Sequence, residues 1–155
     1  MVVTLVSGAG RNLAHSKQGH GMTLANATFS MNDWDEQSDA EINGLPRITR
    51  VFSTNTYRGD ISGSSSVNYV IAYPTGDTGT FRGYEQIVGR LGDAEGSFIL
   101  EHVGSWEKST VTTSWTVVEG TGTGALEGLS GRGGYVAHHD VPETPVTLDY
   151  SLPGR

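Results

Sequence analysis

At 155 residues with no cysteine, the chain is the size of one domain, and disulfide frameworks, thiolate nucleophiles, iron–sulfur clusters and cysteine zinc sites are excluded. A net charge of −7 and a pI near 5.1, with ten Lys and Arg scattered singly, leave no basic stripe to neutralise a phosphate backbone, so nucleic acid is not an expected partner. The 22 glycines and a charged fraction of only 17% favour short strands and tight turns over a helical bundle.

Residues 1–21 carry a brief apolar run, VVTLV, with no basic region before it, which is too short for a secretory signal. They are expected to form an N-terminal extension, flexible or adding an edge strand, with the barrel domain over 22–155. The longest apolar run, Val67 to Tyr73, is interrupted by Asn68 and falls far short of the roughly 20 residues that cross a bilayer. No membrane partner and a cytoplasmic location are therefore expected.

β-branched and aromatic runs then recur between turn signals, which predicts strands at about 24–34, 47–55, 57–61, 65–73, 79–90, 95–103, 110–118, 133–138 and 145–151. The acidic stretch 33–44, the segments 74–79 and 91–96, and Trp106 to Ser109 read as the loops and turns between them. This pattern predicts an all-β antiparallel barrel or sandwich.

Alternation assigns faces, because successive strand side chains point to opposite sides. Phe81, Gly83, Glu85 and Ile87 share one face, so Glu85 travels with apolar residues. Phe98, Leu100 and His102 share another, as do Tyr69, Ile71 and Tyr73, and Trp115 with Val117. An inward carboxylate beside Phe81 and Ile87 is expected to lose hydration and have its pKa raised, which suits general acid–base work. The competing readings are an ion pair with an Arg across the barrel, or a bulge near Gly83 that turns Glu85 outward. His102 would partner Glu85 or serve as a hydrogen-bonded core residue. Trp34, Tyr69, Tyr73 and Trp115, with the apolar Phe81, Ile87, Phe98 and Leu100, supply the mixture expected of a ligand cavity. Asp35 and Glu36 lie in the expected acidic loop with Asp33, Asp39 and Glu41, either as solvated groups or as a lid at the barrel mouth.

Several catalytic signatures fail. The Gly-rich run 119–134 has Ala125 where Gly120-x-Gly122 needs its third glycine, and no helix or acidic partner follows. Neither lysine follows a glycine, so no P-loop exists, and Gly128-Leu-Ser-Gly ends in Arg132 where a nucleophile elbow needs glycine. The adjacent His138 and His139 point apart on a strand and make a poor metal pair. No metal or redox cofactor is expected. The glycines of 120–134 are expected to serve close strand approach and tight turns.

Trp34-Asp-Glu36, Phe81-Arg-Gly-Tyr-Glu-Gln-Ile-Val-Gly-Arg-Leu91, Gly96-Ser-Phe-Ile-Leu-Glu-His102 and the segment 114–134 together resemble the family of domain of unknown function 3224, over about residues 24–151. The last segment also resembles the glycine-rich turn of dirigent proteins and allene oxide cyclases. The resemblance implies an eight-stranded antiparallel barrel, assembled as a homo-oligomer, whose cavity holds a largely apolar small molecule. On that footing the expected activity is that of a cofactor-independent cyclase or isomerase using Glu85 and His102, with a non-catalytic small-molecule binding barrel as the alternative. The chain departs from allene oxide cyclase in lacking cysteine.

Overall fold

The computed structural model describes residues 21–38 and 44–154, so nearly all of the expected N-terminal extension lies outside the described residues. Among the described residues eight strands run in chain order: β1 (Thr23–Ser38), β2 (Arg47–Gly59), β3 (Ile61–Tyr73), β4 (Thr78–Leu91), β5 (Ala94–Glu107), β6 (Thr110–Val117), β7 (Ser130–His138) and β8 (Thr144–Ser151). Each pairs antiparallel with the next, and β8 pairs with β1 to close an up-and-down barrel. No helix among the described residues is long and apolar enough to cross a membrane.

The period-2 pattern in the sequence is the pattern of burial. In β4, Phe81, Glu85, Ile87 and Leu91 are buried while Arg82, Tyr84, Gln86 and Val88 face out. The barrel has two unlike ends. At one, which we call the base, Leu91, Leu100, Leu126, Leu129 and Leu148 are all but inaccessible to water and pack with Phe98. At the other, the mouth, the walls rise around open space.

The glycine-rich segment after β6 closes the base. A single 3-10 turn, Gly124–Leu126, drives Leu126 inward. The Thr123 amide donates to the Ser97 carbonyl at 2.9 Å and the Ser97 amide to Thr123 Oγ1 at 3.0 Å. Glycine is required at position 96 because a Cβ there would lie 2.0 Å from the Thr123 carbonyl oxygen. Within 120–134, a Cβ at Gly122 would lie 1.9 Å from the Leu126 carbonyl oxygen and one at Gly133 2.0 Å from the Thr147 carbonyl oxygen, the close approach expected of these glycines.

Several boundaries differ from expectation, and Trp106, expected in a turn, lies in β5. The separate strand at 57–61 does not exist: β2 and β3 run into and out of a hairpin at Gly59, whose φ of +110° only glycine adopts readily. The Asp60 amide there donates to the Asn26 carbonyl at 2.9 Å, tying the turn to β1. In addition β1 runs past Trp34 to Ser38, so Asp35 and Glu36 are strand residues of the barrel wall, not loop.

Candidate functional site

The β1 extension works through a bulge. Met31 pairs with Asn55 and Asp33 with Thr54, which leaves Asn32 unpaired. One extra residue inverts the alternation: Phe29 and Met31 face inward before the bulge, and Trp34 and Glu36 face inward after it. The wall thus gains an indole and a carboxylate.

A cavity of about 770 Å³ opens at the mouth. Its body is aromatic and aliphatic, with Trp34, Tyr69, Tyr73, Phe81, Trp106 and Tyr135 among its lining residues. The polar lining divides by depth. Asn55 lies near the floor, Glu36 higher on one wall, and Lys108, His138 and His139 on the opposite rim, in the turn after β5 and at the end of β7.

Immediately below the floor sits a sealed polar cluster centred on Glu85, which is fully buried. Glu85 Oε2 accepts from Asn55 Nδ2 at 3.1 Å, the Tyr57 hydroxyl at 2.8 Å and Ser65 Oγ at 2.5 Å. His102 Nε2 lies 2.9 Å from Oε1, and its Nδ1 is 3.3 Å from the Tyr69 hydroxyl. The side chains come from β2, β3, β4 and β5, so the cluster staples four neighbouring strands. Rings surround it: His102 meets Tyr69 and Trp115 edge to face, each pair of centroids 5.3 Å apart, and Trp115 meets Tyr135 at 5.4 Å.

Gly83 makes the central contact possible. It pairs with Tyr69 on one side and His102 on the other, so the inward row reads ring, glycine, ring. With no side chain between them, Tyr69 and His102 reach each other across β4.

Charge follows from these partners. Burial pushes the Glu85 carboxyl up, as the sequence leads one to expect, but the hydrogen bond and charge of His102 and the hydroxyls of Ser65 and Tyr57 outweigh it and hold the group below its ordinary value. The expected raised pKa is therefore corrected: Glu85 is an ionised acceptor. A carboxylate only accepts, so His102 Nε2 carries the proton in that contact. Burial and the nearby Tyr135 and Glu85 push the Tyr69 phenol well above its ordinary value, and burial raises Tyr135 to about 12. Both stay protonated at neutral pH.

A second carboxylate stands on the wall. Glu36 accepts from Thr49 Oγ1 at 2.7 Å, from Trp34 Nε1 at 3.1 Å and from the Tyr73 hydroxyl. Partial burial raises its pKa, but the bonds from Tyr73, Thr49 and Trp34, with the charge of Arg47, prevail and lower it. Arg47 stacks over the Tyr73 ring, 4.3 Å from its centroid.

Trp34, Tyr69, Tyr73 and Phe81 line the cavity as expected of ligand contacts. Ile87, Phe98, Leu100 and Trp115 do not; they sit deeper, packed in the base cluster, because alternation fixes the side a residue faces but not its depth along the barrel. Glu85 and His102 face inward and bond to each other, but neither lines the cavity. The sequence reading passed over Asn55, Tyr57, Ser65 and Tyr135. The first two fell at the false break between 55 and 57, although Val51, Ser53, Asn55 and Tyr57 alternate in the same way as the inward set of β4.

The fold is shared with the crystal structure of a protein of unknown function from Shewanella oneidensis MR-1, itself of the DUF3224 family, with a TM-score of 0.68 and 22% identity over 85% of this chain and 99% of that one. No curated protein matches the chain. Residues 25–150 match the family described as protein of unknown function (DUF3224), nearly the whole barrel, and the chain belongs to that family.

Proposed function

We propose that this barrel binds a small molecule with an apolar body in its mouth cavity. The observation that carries the reading is the unequal filling of the barrel: leucines and Phe98 pack the base solid, while about 770 Å³ lies open above an ordered polar floor. A purely structural barrel would fill both halves alike. Trp34 and Trp106 line the cavity and report occupancy by their fluorescence. Titration with apolar aromatic probes is expected to quench them saturably, and Ala137→Phe, which fills the mouth, is expected to abolish the effect. No saturable change with any probe would overturn the reading.

A second reading, a cofactor-independent isomerase or cyclase, is supported by one contact. Tyr69 touches both the cavity and His102, so Tyr69, His102 and Glu85 form a chain from the ligand space to a buried carboxylate. In this reading the Tyr69 oxygen takes a proton from the ligand while its own proton passes to His102 Nδ1, and the imidazolium formed is stabilised by Glu85. Reversal delivers the proton to a second ligand atom, which balances an isomerisation. Glu85 then acts as a positioning residue and Tyr69 as the group that meets the substrate.

A further inference from the structure

We infer that the cavity holds an alkylated ammonium group, seated against the Glu36 carboxylate among the aromatic rings of the upper wall. This rests on the binding reading above and adds the charge of the ligand. Glu36 is partly exposed, and it is the sole carboxylate among the described residues that line the cavity. Its side chain faces inward because the register beyond the bulge pairs it with the buried Val51 of β2. Among the described residues Oε2 accepts from Thr49 and Tyr73 and Oε1 from Trp34, which leaves one lone pair, on Oε1. The charge remains, because the same three donors and the charge of Arg47 hold the group ionised. A carboxylate with its acceptor sites nearly filled offers little to a ligand rich in N–H or O–H groups. It offers most to a cation with one such group or none.

The rings beside it have the matching chemistry. Trp34 and Tyr73, both bonded to Glu36, each continue into a second ring: Trp34 lies 6.4 Å from Tyr69 and Tyr73 lies 5.7 Å from Trp106, centroid to centroid. All four line the cavity. Trp106 has room for its indole because its strand partner is Gly79, where a Cβ would lie 2.4 Å from Nε1. Ring faces carry negative potential and attract alkylated ammonium groups. Tyr73 already draws one cation, since the Arg47 guanidinium stacks 4.3 Å from its centroid, yet Arg47 does not line the cavity. Lys108 is the sole Lys or Arg among the described lining residues, and it stands with His138 and His139 on the opposite rim, half-way round the barrel from β1. These three are exposed to water, where charge is screened, whereas Glu36 is half-buried.

The test compares three biphenyl probes on the full chain that differ only in the group on a 4-methylene: trimethylammonium, its neutral tert-butyl isostere and carboxylate. Affinities are read from tryptophan quenching. The trimethylammonium probe is expected to bind at least about tenfold more tightly than the isostere, which matches it in size and lacks only the charge, and the carboxylate more weakly than either. Glu36→Gln keeps the size of the side chain and removes its charge, and it is expected to cut that preference to about threefold or less, the part the rings supply. Retained binding of the isostere by that variant shows that the cavity is intact. Equal affinity of the trimethylammonium probe and the isostere for the unsubstituted chain, or tightest binding of the carboxylate, overturns the ammonium inference while leaving the binding reading in place. An undiminished preference in Glu36→Gln overturns the seat on Glu36. Failure of all three probes to bind overturns both readings.

Discussion

His102 Nε2 and Glu85 Oε1 lie 2.9 Å apart with both side chains sealed from water, and no other carboxylate, histidine, lysine or arginine among the described residues is as deeply buried. A buried ion is tolerated where donors surround it, and Glu85 has four. Removing the acceptor strands all four donors. Glu85→Ala is therefore expected to lower stability by about 3–5 kcal/mol in urea unfolding. Glu85→Gln keeps one oxygen for Asn55, Tyr57 and Ser65 and is expected to lose less. Equal losses would show that volume rather than hydrogen bonding sets the cost.

Acid should unfold the barrel through the same group. The folded pKa of Glu85 is depressed below its unfolded value of 4.5, so its contribution is fully present above that value and is lost as pH falls through the folded pKa. Glu36 is shifted in the same direction on the cavity wall, so it adds to the slope. Stability measured from pH 7 downward is expected to hold until about pH 5 and then decline. Glu85→Gln should flatten that decline. An unchanged slope would mean that other carboxyls govern acid unfolding.

Gly83 offers a test of the floor that leaves every polar group in place. A Cβ at this position would lie 2.0 Å from the Asn68 carbonyl oxygen and 2.8 Å from Tyr69 Cδ1. The backbone oxygen belongs to the paired strand and cannot swing away, so β3 and β4 must separate locally. Gly83→Ala is expected to destabilise the fold by about 1–3 kcal/mol and to disturb the Tyr69 and His102 ring resonances together in NMR spectra. Substitution without either effect would show that the close approach is slack.

How much of this was legible in the sequence depends on which physical rule each feature obeys. Alternation is local, and it placed Glu85, His102, Tyr69 and Trp115 on inward faces from their own strands alone. The bulge at Asn32 breaks that rule without a glycine or proline to mark it, so the inward turn of Trp34 and Glu36 was hidden. Depth was hidden too. Ile87 and Phe81 share a face, but one packs the base while the other lines the mouth, a distinction set by the leucines that the segment 118–129 brings from outside the strands. The charge of Glu85 was misjudged because its donors Asn55, Tyr57 and Ser65 arrive from β2 and β3, between 20 and 30 residues away in sequence.

The Tyr69 hydroxyl separates the two readings of the cavity. Tyr69→Phe removes the oxygen that meets His102 but keeps the ring of this cavity-lining residue, whose edge-on contact with Phe81 at 5.0 Å and with His102 at 5.3 Å holds the floor in shape. Lost stability should be limited to about 0.5–1.5 kcal/mol for the missing hydrogen bond, and apolar probes should bind almost as before. If the barrel is an isomerase or cyclase, turnover of its substrate should fall by about 100-fold or more, the typical loss for a missing proton-transfer group. His102→Gln should produce a comparable fall, because a carboxamide bonds to Glu85 but cannot receive the Tyr69 proton and hold it as an imidazolium does. Turnover unaffected in both variants would mean that Tyr69, His102 and Glu85 serve as a structural floor, leaving ligand binding as the function of the cavity above it.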